Sequence, residues 1–448
     1  MKRNLRNNII RKGNKKVING WVMYDWANSV YQLTIASAIF PIYYNQVTKH
    51  GADDFIVNFF GYDIINTVLY SWAIAAAYLV VALITPMLSS LADYTGRRKT
   101  FMQVFTWIGA LSCGTLFFFD AQHIELGVIA FALGTVGYGG SIVYYNSFLP
   151  VIVEKKDQDR ISARGYSMGY LGGVVLLLIN LLMILKPELF GITDGAMPAK
   201  ISFLSVFLWW IGFSQITFRR LPRYTFRKRR KDKETNILLE GYRELDKVFQ
   251  QVRRSRQLSC YLLGFFFVMM GLLTVMFMAA TYGEKEIGLD DSVLIPTVLV
   301  IQLVGIGGAW SFSRLSGRIG NLKALMISVI IWIIICFGAF AIVNSIQFII
   351  AAFFIGIVMG GTQSLARSTY SKMIPQDTTE HTSFFSFYDV MEKLATVAGT
   401  FSFGIIEAIT GSMRYSVLAI AVFFVIGIIF LSFTMRIEYK LKHAPVIE

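Results

Sequence analysis

SSLADYTGRRK, residues 89–99, and SRLSGRIGNLK, residues 313–323, are two versions of one short string. Leu91 and Leu315, Gly96 and Gly320, and Lys99 and Lys323 each stand 224 residues apart, half of the 448-residue chain. Each copy is a polar, basic interruption between two long apolar runs. An internal repeat at half the chain length predicts two similar halves, and the flanking sequence shows what they are made of.

Outward from residues 89–99, apolar stretches long enough to cross a bilayer fall at about 21–47, 67–91, 100–119, 125–149, 164–185 and 200–218. Six more follow at about 258–282, 292–313, 323–343, 346–371, 383–410 and 413–435. A hydrocarbon core of about 30 Å takes roughly 20 apolar residues per helix, so these read as twelve transmembrane spans. Composition agrees. Hydrophobic residues make up 55% and charged residues 16%, with a mean hydropathy of +0.56, against about 25% charged in a soluble domain. The expected fold is all-α and polytopic, two six-helix bundles, with domains at 1–218 and 258–448 joined by a basic linker at 219–257.

The 42 Lys and Arg exceed the 28 Asp and Glu by 14. Twelve spans place the loops alternately on two sides. Of the 42 cations, 36 fall on the side of the termini, 5 on the other, and Lys393 falls inside a span. This asymmetry predicts cytoplasmic N- and C-termini and assigns the excess charge to anionic lipid headgroups rather than nucleic acid. Cys113, Cys260 and Cys336 are scattered in apolar runs, and the four histidines form no ligand spacing. No metal, cofactor or catalytic residue is predicted. The basic N-terminus precedes a long apolar run that contains Asp25 and lacks a cleavage signal, so it reads as an uncleaved first span.

In the linker, Leu238, Tyr242, Leu245, Phe249 and Val252 recur at steps of four and three, the apolar stripe of a helix lying on the membrane surface. Six-span units repeated about an axis along the membrane normal are the build of alternating-access transporters, with a substrate site near the midplane.

LADYTGRRK resembles the signature loop of the major facilitator superfamily, G-x-L-A-D-x-x-G-R-[KR]-[KR], with Ser89 at the first glycine position. The resemblance implies a gating loop of Asp93, Gly96, Arg97 and Arg98. Asp93 would cap a helix start or pair with a cation of the neighbouring bundle, and Arg97 and Arg98 would bind a helix's C-terminal carbonyls. The copy has Gly317 in place of the acid, so a one-sided latch is expected. YDWANSVY (24–31), FPIYY (40–44), YYNSFLP (144–150), GYSMGYLGG (165–173), YGEKEIGL (282–289), QLVGIGG (302–308), GGTQSLARSTYSKMIP (360–375) and FFSFYDVMEK (384–393) are together similar to the vacuolar amino-acid effluxer branch of that superfamily. That branch implies a small-molecule solute, an amino acid above others, and for its bacterial members a multi-pass location in the cytoplasmic membrane. Members often carry an acid in span 7, in a string like Y-N-D-G; this chain has Val268-Met269-Met270-Gly271.

Intramembrane charges mark function, since one at a helix centre costs about 2.5–3.5 kcal/mol on insertion. In span 11, Asp389, Glu392, Lys393, Thr396, Thr400 and Glu407 fall on one helical face, with Lys393 about 15 Å below the cytoplasmic end. Asp389 and Lys393 can neutralise each other as a structural i,i+4 pair, but Glu392 and Glu407 are left over. The functional reading gives Lys393 the carboxylate of a zwitterion and Asp389 or Glu392 its ammonium or a proton. Span 1 repeats the pattern with Asp25, Asn28, Ser29 and Gln32. Asp25 is a pathway residue or a gate partner of Arg164. Span 10 offers Gln363 to the pathway and Arg367 as a gate or a snorkelling anchor; span 4 offers Tyr145. Gly169, Gly172 and Gly173 suit close helix packing.

The sequence thus predicts a secondary transporter working by alternating access that exports or imports amino acids, with protons as the candidate coupling ion. The alternatives are a drug, sugar or peptide porter of the same fold and a non-transporting membrane sensor or scaffold.

Overall fold

A computed structural model describes residues 12–48, 56–223, 237–375 and 378–442. The chain runs α1 (Lys15–Val30), a π-helical stretch (Tyr31–Ile39), α2 (Phe40–Thr48), β1 (Ile56–Phe59), β2 (Tyr62–Ile65), α3 (Asn66–Thr95), α4 (Arg98–Thr115), α5 (Ile124–Ser147), the single turn α6 (Leu149–Ile152), α7 (Gln158–Leu185) and α8 (Met197–Arg220). It continues with α9 (Ile237–Arg254), α10 (Arg256–Lys285), α11 (Asp291–Ile319), α12 (Asn321–Phe340), α13 (Ser345–Met373), α14 (His381–Thr410) and α15 (Met413–Lys442). Among the described residues, ten helices are long and apolar enough to cross a membrane. The two others at the expected span positions are the Lys15–Thr48 series and α14, the ones that carry the polar stripes. The all-α polytopic architecture is as the sequence predicts, with one addition: β1 and β2 form an antiparallel hairpin, Ile56 opposite Ile65, turning at Phe60 and Gly61, both with positive φ.

Helix ends follow local chemistry. Asn14 caps α1, its side-chain oxygen accepting from the Lys16 and Val17 amides. Gly96 ends α3 at φ 68°, a conformation that costs glycine little, and its amide donates to the Ala92 carbonyl. Large apolar side chains such as Leu83, Leu111, Ile334 and Phe337 point outward, as a chain solvated by lipid requires.

The chain forms two compact units, residues 1–152 with 168–233, and residues 153–167 with 234–448. α7 is therefore shared: its start belongs to the second unit and its remainder to the first. Inside each unit the loops sort into two ends. In the first, the Gly13 amide donates to Ile152 O (2.9 Å) and Lys99 Nζ to Leu221 O (3.0 Å) at one end. At the other end Lys200 lies 3.9 Å from Asp120 and Phe60 N donates to Glu125. In the second, Arg414 pairs with Glu286 (3.2 Å) and donates to Phe340 O (2.6 Å) at the end opposite the 313–323 loop. These are the pairings that alternating spans require.

Candidate functional site

In the first unit, the α1 stripe meets α5. The Trp21 indole stacks on the Tyr145 ring at 4.4 Å and donates from Nε1 to the Tyr145 carbonyl at 2.8 Å. The Tyr145 hydroxyl in turn donates to Asp25 Oδ2 at 2.5 Å. Asp25 and Tyr145 are both buried, so this is a charge-assisted hydrogen bond out of water's reach. One turn on, Asn28 is fully buried and its Nδ2 has no partner. Gln32 is half-buried in the π-helical stretch that starts at Tyr31, and π segments interrupt α-helices most often at functional positions. α7 lies close behind: a Cβ on Gly172 would come 2.6 Å from the Trp26 carbonyl oxygen, and one on Gly169 2.5 Å from Ser29 Oγ, which fits the packing role expected of these glycines.

In the second unit, α14 gathers three charges. Lys393 Nζ lies 3.2 Å from Asp389 Oδ1 and 3.5 Å from Glu392 Oε1. Asp389 and Lys393 are buried while Glu392 keeps 30% of its side chain exposed. Asp389 Oδ2 is buried without a hydrogen-bond partner. Thr396 is buried one turn along and donates to Glu392 O. Glu407 does not join the cluster: it sits in the last turn of α14, its carbonyl accepting from the Gly411 amide. Gly399 lets α14 press on α10, since a Cβ there would collide with Thr274 Oγ1 and the Met270 carbonyl. Val268, Met269 and Met270 of α10 are buried core side chains.

The signature loop carries an internal ion pair: Arg98 Nε lies 2.8 Å from Asp93 Oδ1, with both side chains buried. Lys99 Nζ donates to Leu221 O at the end of α8, and Arg97 is exposed. The second copy is not acid-free in space. Asp159, at the start of α7, accepts from Ser316 Oγ (2.9 Å), Asn321 Nδ2 (2.6 Å) and Lys372 Nζ (2.7 Å). Asn321 Oδ1 also accepts from Lys372 (2.9 Å). The second copy has Gly317 at the acid position and meets a carboxylate from α7 instead.

Arg367 does not snorkel. Its guanidinium is buried, donates to Ser162 Oγ (2.9 Å) and Ser162 O (2.8 Å), and lies 4.2 Å over the Tyr166 ring. The Ser162 hydroxyl donates onward to Ser364 O. Gln363 is half-buried beside it. Asp25 belongs to the first unit and the exposed Arg164 to the second. Asp159, Ser162, Asn321 and Lys372 escaped the sequence reading. The one signal was the spacing of Asp159, Ser162 and Tyr166 along a single helical face. Among the described residues no cluster of metal-ligating side chains occurs.

Comparison with known proteins sets these positions in a family. The chain is 28% identical over 416 residues to the "Uncharacterized MFS-type transporter YxiO" of Bacillus subtilis, covering 93% of this chain and 94% of that one. It is 22% identical over 471 residues to "Autophagy-related protein 22" of Vanderwaltozyma polyspora, covering 90% and 88%. Its fold is similar to that of the transporter FucP, whose crystal structure is of an outward conformation, at a TM-score of 0.68 and 13% identity, over 94% of this chain and 97% of that one. The proton:xylose symporter XylE matches at 0.68 and 12%, over 94% of each. Residues 13–444 match the family described as vacuole effluxer Atg22 like, and the chain belongs to that family of multi-pass membrane transporters within the major facilitator superfamily.

Proposed function

We propose that the chain carries amino-acid zwitterions by alternating access, with the Asp389, Glu392 and Lys393 triad as the principal contact and Asp25, Asn28, Gln32, Tyr145, Gln363 and Thr396 along the pathway. The observation that carries the reading is the charge balance of the triad. Two acids share one lysine, so full neutralisation takes one more positive charge, and the buried Asp389 Oδ2 is open to receive it. A substrate ammonium or a proton supplies that charge, and the Lys393 ammonium suits a substrate carboxylate. Proton coupling follows if the same oxygen takes a proton when no substrate is bound. The gates on this reading are the Asp93, Gly96, Arg97 and Arg98 loop, Arg164, and Arg367 on Ser162. The family name of the relatives and the distribution of Lys and Arg support efflux across a bacterial cytoplasmic membrane with both termini in the cytoplasm.

Counterflow in proteoliposomes with a panel of labelled amino acids, at two pH values, tests this. Exchange of at least one amino acid is expected, abolished by Lys393→Ala. Wild-type rate and affinity in Lys393→Ala, or flux of sugars alone, would remove the reading.

A further inference from the structure

α9 lies outside the twelve spans and is only half covered. Val248 is fully buried and Val252 nearly so, and Ser259 Oγ of α10 donates to the Val252 carbonyl at 2.7 Å. At about 100° per residue these two valines form one edge of the apolar arc; Leu245 and Phe249 form the other. The Phe249 ring lies 6.0 Å from Phe387 of α14 yet is 49% exposed. Beyond it around the helix come Arg253, Asp246, Arg243, Arg254 and Lys247, all exposed, four cations to one acid, and the acid accepts from Gln250. Leu238 and Tyr242 lie on the same sequence stripe, with side chains outside the described residues.

Position and charge choose the occupant. α9 ends at Arg254, and the membrane-crossing stretch of α10 begins at Arg256, so connectivity holds α9 at the bilayer interface. Segment 219–257 has 14 Lys and Arg against 5 Asp and Glu. A half-exposed phenylalanine bordered by arginines matches the boundary between acyl chains and phosphates, where the ring enters the apolar layer and the guanidinium groups meet headgroups. We infer that α9 is a docking surface for anionic phospholipids, and that its lipid-bound position bears on α14 through Phe249 and Phe387, two residues before Asp389.

Hydrogen exchange of the full-length protein in nanodiscs, with phosphatidylcholine alone or mixed with phosphatidylglycerol, tests this without any transported solute, so it stands or falls apart from the amino-acid reading. Phosphatidylglycerol should raise amide protection across residues 243–254, about fivefold for each cation engaged, and raise it at the start of α14. Arg253→Gln with Arg254→Gln should shrink the first response. Phe249→Ala should keep part of the first and lose the second, with protection elsewhere unchanged. Equal protection in the two lipids would overturn the inference, as would protection that rises with protomers per disc at constant lipid, which would mean a second copy covers α9.

Discussion

Lys393 is held by Asp389 and Glu392, with Lys393 and Asp389 both buried. Breaking a buried pair strands its partner at a cost of about 3–5 kcal/mol, whereas removing the pair together costs far less. Lys393→Met is therefore expected to lower the unfolding midpoint in detergent, followed by tryptophan fluorescence. Lys393→Met with Asp389→Asn should restore most of that stability and still not transport; recovery of both would make the triad purely structural. The Tyr145 hydroxyl on Asp25 allows a second test at this scale. Tyr145→Phe and Asp25→Asn should each slow counterflow, and the double variant should be no slower than the worse single, because both remove one hydrogen bond. The span 11 stripe was legible because its members are three or four residues apart. The Asp25 pairing was not, since its donor lies 120 residues away, and Glu407 shares the helical phase of the stripe while lying about 27 Å further along the axis, over 18 residues.

Among the elements, α10 and α14 touch backbone to backbone at Gly399, where any side chain collides with Met270 O as well as Thr274 Oγ1. Gly399→Val should destabilise by about 1–3 kcal/mol, the usual cost of overpacking, while Gly404→Ala, with open space at its Cβ, should be close to neutral in the same melts. The Asp159 cluster ties α7 to α11, α12 and α13 through three donors. Asp159→Asn should increase labelling of a cysteine placed at the buried Ser162 by a soluble thiol reagent; unchanged labelling would show that the cluster does not shield this position. Twelve elements were readable from apolar run length, and the repeat at 89–99 and 313–323 from identity alone. Asp159 was hidden in EKKDQDR (154–160), a charge run that reads as a solvated loop, and the π-helical stretch had no apolar-period signature to announce it.

For the whole molecule, the hydrogen bonds within each unit sort the loops into two ends in the alternation that twelve spans demand. The positive-inside rule makes the Lys- and Arg-rich end the one proposed to face the cytoplasm. Glu188→Cys should react with a membrane-impermeant maleimide on intact cells and Lys155→Cys only after lysis. The reverse pattern would invert the topology, with Cys113 and Cys336 silent in either case because they are buried.

α7 gives this architecture a mechanical consequence. One unbroken helix counts its first turns with one body and its later turns with the other. Its start is bolted by Asp159 and by Ser162 on Arg367; its glycine stretch is pressed onto α1. The polar contacts can exchange their partners for water, whereas the glycine contacts have no such substitute. The two stretches of α7 should therefore answer differently to denaturant, the Asp159 end gaining hydrogen exchange before the glycine stretch does.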